Sequence, residues 1–134
     1  MIPKHPTIYL IGEQFTVECA ICLNGGCPSK EFLDSLDNAN RAKIIKIITK
    51  FARDGKIWNK EQFKKIEGTD FWEFKSFQVR ILMYHCSRGV IALTHGFKKK
   101  GDKIPEGQME RTRRIKEEYD SIRRGMKDEG DDSA

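Results

Sequence analysis

Arg80 and the run Lys98, Lys99 and Lys100 are the residues of this chain best suited to chemistry on a phosphate. A guanidinium clamps phosphate through paired N–H donors and an ammonium neutralises it as a point charge. Side by side they stabilise negative charge that grows in a transition state. The same residues have a plain structural reading, in which Arg80 lies along Leu82 with its head in water and the lysines are a solvated strand end. Three histidines, His5, His85 and His95, offer proton transfer near neutral pH. His85 and His95 are separated by roughly 13 Å along the strand direction, at about 3.3 Å per residue, which is too far for a working pair. His95 borders the basic run and is a single catalytic candidate, against the plainer reading of a buried imidazole held by backbone partners. Cys19, Cys22 and Cys27 form C-x2-C-x4-C, with Cys86 far along the chain, a spacing that raises a zinc site. Cys19 and Cys22 fall in an apolar run that reads as a strand, where positions three apart point to opposite faces, so small buried thiols are expected and no metal. Disulfides are not expected in a reducing compartment.

Bringing Arg80 to Lys98 requires a hairpin. Residues 78–86 and 90–98 read as strands joined at Ser87-Arg88-Gly89, and a three-residue turn there pairs Cys86 with Val90, Ile81 with His95 and Arg80 with Gly96. Alternation then puts Val79, Ile81, Met83, His85, Ile91, Leu93, His95 and Phe97 on a core face. Arg80, Leu82, Tyr84, Cys86, Ala92, Thr94 and Lys98 fall on an open face, with Arg80 and Lys98 as diagonal neighbours.

The remaining elements supply the support. Residues 1–6 hold two prolines and are expected to be irregular, and Thr7 to Leu23 reads as one or two strands interrupted at Gly12. Pro28 and Ser29 start a short helix. From Asp37 to Asp54, Ile44, Ile45, Ile47, Ile48, Phe51 and Ala52 recur near a 3.6-residue period, and Gly55 stops the helix. Residues 56–68 read as a polar connection and 70–76 as a further strand. Lys99 to Ile104 is a basic loop, and Pro105 opens a last helix lined on one side by Ile115, Tyr119, Ile122 and Met126. The expected fold is α+β: a small antiparallel-rich sheet with the two N-terminal helices packed on one face, and a basic C-terminal helix. At 134 residues the chain forms one domain over residues 1–127, followed by an acidic irregular tail over residues 128–134.

The net charge of +5 is unevenly spread, since residues 75–127 carry 14 Lys/Arg against 6 Asp/Glu. Such a block suits a polyanionic or acidic partner, and equally a solvated helix face. No apolar run is long enough to span a bilayer, and Glu13 and Glu18 interrupt the N-terminal stretch that a signal segment would use, so a cytoplasmic location and no membrane partner are expected.

The segments F-L-D-S-L at 32–36, R-A-K-I-I-K-I-I at 41–48, F-W-E-F-K at 71–75, V-R-I-L-M-Y at 79–84, I-A-L-T-H-G-F-K-K-K at 91–100 and P-x3-M-E-R at 105–111 together resemble the phage-derived, HigB-like branch of the RelE/ParE toxins. The resemblance covers residues 16–123, in the family's order. It implies a type II toxin that cuts messenger RNA in the ribosomal decoding site, with the ribose 2′-hydroxyl as nucleophile and, as is usual in the family, no metal or other cofactor. By that resemblance Arg80 falls on the phosphate-clamping arginine, and Lys98 and Lys99 on the basic residues that end the last strand. Tyr84 and Tyr119 are candidates for shaping proton transfers or stacking on a base, and Lys75, Lys100, Arg111 and Arg114 are further RNA-binding candidates. The implied partners are the ribosome, mRNA and a cognate antitoxin of helix-turn-helix type. Ile104 and Gly107 depart from the family pattern at the start of the last helix. Two other modes stand beside this reading: a ParE-like toxin that inhibits DNA gyrase by binding without catalysis, and an RNA-binding module without activity.

Overall fold

The computed structural model describes residues 7–101 and 103–132, so the irregular segment expected over residues 1–6 lies outside the described residues. Nine elements follow in order: β1 (Thr7–Ile11), β2 (Thr16–Cys19), α1 (Pro28–Ser35), α2 (Asn38–Asp54), β3 (Phe63–Lys65), β4 (Trp72–Ser76), β5 (Val79–Ser87), β6 (Val90–Lys98) and α3 (Gln108–Asp132). The six strands form one sheet in the order β1-β2-β6-β5-β4-β3, antiparallel except for the parallel pair β2 and β6. The fold is α+β.

The strongest periodic segment turns its apolar stripe into the core. Ile44, Ile47, Ile48, Phe51 and Ala52 are the buried stripe of α2, whose N-terminus is capped by Asp37 and whose C-terminus ends in Gly55 at φ 80°. Gly12, between β1 and β2, lets the backbone approach α2 so closely that a Cβ there would sit 2.4 Å from the Ala52 carbonyl oxygen. With α1, this helix covers Val17, Cys19, Phe74, Val79, Ile81, Met83, Ile91 and Leu93 on one face of the sheet. The other face is not open. Ile115, Tyr119 and Ile122 of α3 pack over Ala20, Phe71, Tyr84 and Ala92 as a second core.

Several boundaries differ from expectation. The connection 56–68 contains β3, whose apolar content is the single inward side chain Phe63. Helix α3 begins at Gln108 and not at Pro105, because Gly107 takes a φ of 86° and residues 105–108 form a turn. At its other end α3 runs to Asp132, past Asp128, where the acidic composition predicts an irregular tail; residues 133–134 lie outside the described residues.

Candidate active site

Alternation along β4 builds one half of the site. Phe74 and Ser76 pair with Ile81 and Val79 on the α2 side, which leaves Glu73 and Lys75 on the opposite face. Lys75 stands directly across from Arg80, and Glu73 across from Leu82, so that one carboxylate and two cations share that surface.

Arg80 is fixed, not trailing over Leu82. One of its terminal nitrogens donates to the carbonyl oxygens of Phe77 and Val79, tying down the β4–β5 turn in which Phe77 adopts a φ of 54°. Its Nε is buried, lies 3.6 Å from a Glu73 carboxylate oxygen, and has no hydrogen-bond partner among the described residues. That distance gives ion pairing without a hydrogen bond. A buried N–H left in this state is costly, and an anion that accepted from it would recover the cost. Two shallow hollows meet at Lys75. One, of about 380 Å³, is bordered by Glu73, Lys99, Lys64, Lys65 and Ile104; the other, of about 410 Å³, is bordered by Arg80, Phe77 and Gln62.

Lys98 is absent from this group, contrary to the expected pairing with Arg80. The expected register holds for Met83 with Leu93, Tyr84 with Ala92 and His85 with Ile91. Beyond it, Leu82 faces both Thr94 and His95, and this bulge shifts every later pair by one residue. Arg80 therefore pairs with Phe97, and Lys98 pairs with Val79 on the α2 side. There Lys98 adds to the effect of Asn40 in holding the Asp37 carboxyl below its usual range. The bulge also turns His95 and Phe97 away from the face predicted for them. At the other end, the turn has two residues, Arg88 and Gly89, so Val90 pairs with Ser87 and not with Cys86. Lys99, one residue on, donates its backbone N–H to the Gln78 carbonyl and borders the hollow with Glu73 and Lys75.

Residues 31–117 match the family described as Phage derived protein Gp49-like (DUF891). The chain belongs to the Gp49-like family. This is a phage-derived, toxin–antitoxin-associated family of RelE-like toxins. The matched span runs from α1 into α3 and includes Glu73, Lys75, Arg80 and Lys99. A comparison with curated proteins finds no match.

In this Gp49-like protein the two tyrosines singled out from the sequence lie beneath α3. Tyr84 is 1% exposed and donates to Asp120 at 2.8 Å; Tyr119 is fully buried and donates to Glu18 at 2.6 Å. Burial, with the neighbouring carboxylate, pushes both hydroxyls far above their ordinary pKa, so they stay protonated and serve as anchors of the helix. The expected stacking of either ring on a base has no room. Arg111 and Arg114 are exposed on α3, where both charges act on Cys22 beyond the end of β2 and that of Arg111 also acts on His95; neither borders the two hollows at Lys75. Lys100 is exposed on the segment after β6. His95 is fully buried, its Nε2 2.7 Å from Gln108 Oε1, and burial lowers its pKa to about 4, against a partly offsetting hydrogen bond to Gln108. It is a neutral packing group and not a proton carrier at neutral pH.

The thiols are free, with Cys19 in one core and Cys22 against the other. Among the described residues no cluster of three or more His, Cys, Asp or Glu is placed to hold a metal, and no helix is long and apolar enough to cross a membrane. Glu73 is not among the residues that basic character marks in the sequence; the alternation of Trp72, Glu73, Phe74 and Lys75 is the signal that places it beside Lys75.

Proposed function

We propose that this Gp49-like protein is a HigB-like toxin of a type II toxin–antitoxin system, and that it cuts messenger RNA on the ribosome at the Lys75–Arg80 surface. The observation that carries the reading is the buried Nε of Arg80, without a hydrogen-bond partner among the described residues, 3.6 Å from the Glu73 carboxylate and on the strand position facing Lys75. In the step this surface suits, a ribose 2′-oxygen attacks the adjacent phosphorus while the P–O5′ bond breaks. The 2′-hydroxyl proton passes to the Glu73 carboxylate and Lys99 gives a proton to the leaving 5′-oxygen, so the products are a 2′,3′-cyclic phosphate and a 5′-hydroxyl. Arg80 and Lys75 stabilise the charge that builds on the non-bridging oxygens. The ribosome supplies the alignment of the RNA, which is a large share of the barrier in reactions of this type.

The test is a reconstituted translation reaction with mapping of new mRNA ends. The protein is expected to produce 2′,3′-cyclic phosphate ends only with ribosomes present. Lys75→Ala and Arg80→Lys are each expected to slow cutting by about 10²- to 10³-fold, the usual cost of removing one charge-stabilising donor. An absence of cuts by the unaltered protein, together with inhibition of gyrase supercoiling, would replace this reading with a ParE-like one.

A further inference from the structure

A second hollow, bordered like the candidate site by Lys64 and Lys65, is unlike that site in chemistry. It measures about 550 Å³, within the size range of small-ligand sites. Its floor is aromatic and aliphatic: Phe51, Ile57, Phe63 and Trp72, with Trp72 stacked on Phe63 at 4.9 Å and 7°. Trp58 stands on its rim, 81% exposed, with the Lys56 ammonium 4.9 Å from the centre of its ring. Lys56, Lys60, Lys64 and Lys65 surround the opening, against one carboxylate, Glu67.

Lysines on an edge strand such as β3 also deter pairing with another sheet. That purpose accounts for Lys64 and Lys65 but not for an exposed indole above an apolar floor. Leaving such a ring in water forgoes the burial that stabilises the rest of the fold. An aromatic face ringed by cations is the arrangement that binds single-stranded nucleic acid, with bases stacked on the ring and phosphates on the lysines. The hollow and the candidate site lie on either side of the edge strand β3, whose Lys64 and Lys65 border both this hollow and the one containing Glu73, Lys75 and Lys99. A strand of RNA leaving the Lys75–Arg80 surface crosses only β3 to reach Trp58.

We infer that the Trp58 groove is a second RNA subsite, in which a nucleotide flanking the cut stacks its base on Trp58 while Lys56, Lys60, Lys64 and Lys65 hold the adjoining phosphates. This rests on the proposed action on RNA for its choice of ligand. The groove sets affinity and the position of the strand, and takes no part in bond breaking.

A short 2′-O-methylated oligoribonucleotide of mixed sequence, which has no free nucleophile to react, separates binding from cleavage. Titrated into the protein, it is expected to quench the fluorescence of Trp58, and to leave the remaining Trp72 signal unchanged in Trp58→Ala. Loss of the stack is expected to weaken binding about 5- to 150-fold, whereas Trp58→Phe keeps most of it. Equal binding by the unaltered protein and Trp58→Ala overturns the inference, as does quenching by poly-glutamate but not by the RNA, which would make the groove a site for an acidic protein segment. Trp58-dependent binding without any mRNA cleavage retains the subsite and removes the endonuclease. Cleavage that is indifferent to Trp58→Ala, with equal binding, does the reverse.

Discussion

The residues that matter most are distinguished by their surroundings and not by their type. Lys98 and Lys99 are adjacent and both basic, yet they stand on opposite faces of the sheet. Lys99→Ala is therefore expected to reduce cleavage sharply in the end-mapping assay and Lys98→Ala to leave it within about twofold, a contrast that neighbouring charge alone would not produce. Among the thiols, Cys27 is the N-cap residue of α1, and hydrogen bonding from Cys19, aided by the Lys30 backbone N–H and Ser29, lowers its pKa to about 7. Burial pushes Cys86 up to about 12. At pH 7.5 iodoacetamide is expected to label Cys27 first and the fully buried Cys19, whose thiol is pushed far up by Cys27 and by burial, last by peptide mass spectrometry, with the rate at Cys27 rising through a midpoint near pH 7. His95 has the opposite character. Its folded pKa of about 4 lies below the ordinary 6.5, so the unfolded chain binds the extra proton. The stability that its neutral burial requires is fully present above pH 6.5 and is lost between 6.5 and 4, by up to roughly 3 kcal/mol. Urea midpoints across this interval should fall, and should fall less in His95→Gln.

At the scale of elements, the chain shows how a regular pattern is broken where a helix must dock. Thr94 and His95 are the two residues of the β6 bulge, and they bond to Thr112 at 2.7 Å and Gln108 at 2.7 Å on α3. The strand gives up one step of its ladder and gains two polar ties to the helix above it. Further along α3, Glu18 accepts from Tyr119 and Arg123, and Asp120 accepts from Tyr84 and Lys116. Tyr119→Phe removes one donor from a buried carboxylate and is expected to cost about 1–3 kcal/mol in a denaturant titration, while cleavage per folded molecule stays the same. A Tyr119 that served only to stack on a base would leave stability untouched by loss of the hydroxyl. On the opposite face, α1 seats Phe32 against Gly96, where a Cβ would come within 2.1 Å of the ring. Gly96→Ala is expected to destabilise by about 1–3 kcal/mol through overpacking.

At the scale of the whole molecule, the β3–β4–β5 side brings Lys64, Lys65, Lys75, Arg80 and Lys99 together against three glutamates. RNA binding should weaken linearly in log–log plots against salt, with a slope of about −0.7 for each phosphate neutralised, and Lys64→Ala with Lys65→Ala should make that slope shallower. Much of the scaffold was legible without coordinates. The α2 stripe, its stop at Gly55, the helix start at Pro28 and the β5–β6 hairpin near its turn all follow from local periodicity and backbone preference, which act over a few residues. Local sequence also marked Arg80 and Lys75 as basic residues at strand positions and Lys99 as the start of a basic loop. Their assembly was decided elsewhere. The bulge at Thr94 and His95 exists because α3 offers Thr112 and Gln108 to those side chains, and no window of β6 contains that information. The same holds for β3, a three-residue edge strand made by pairing with β4, and for Trp58, which looks like a core residue by type and is left in water by where the sheet ends. Sequence by itself determined which segments become helix or strand and which of their faces are apolar. Only the tertiary structure decided which charges share a surface, because a shift of one residue in register reverses every face beyond it.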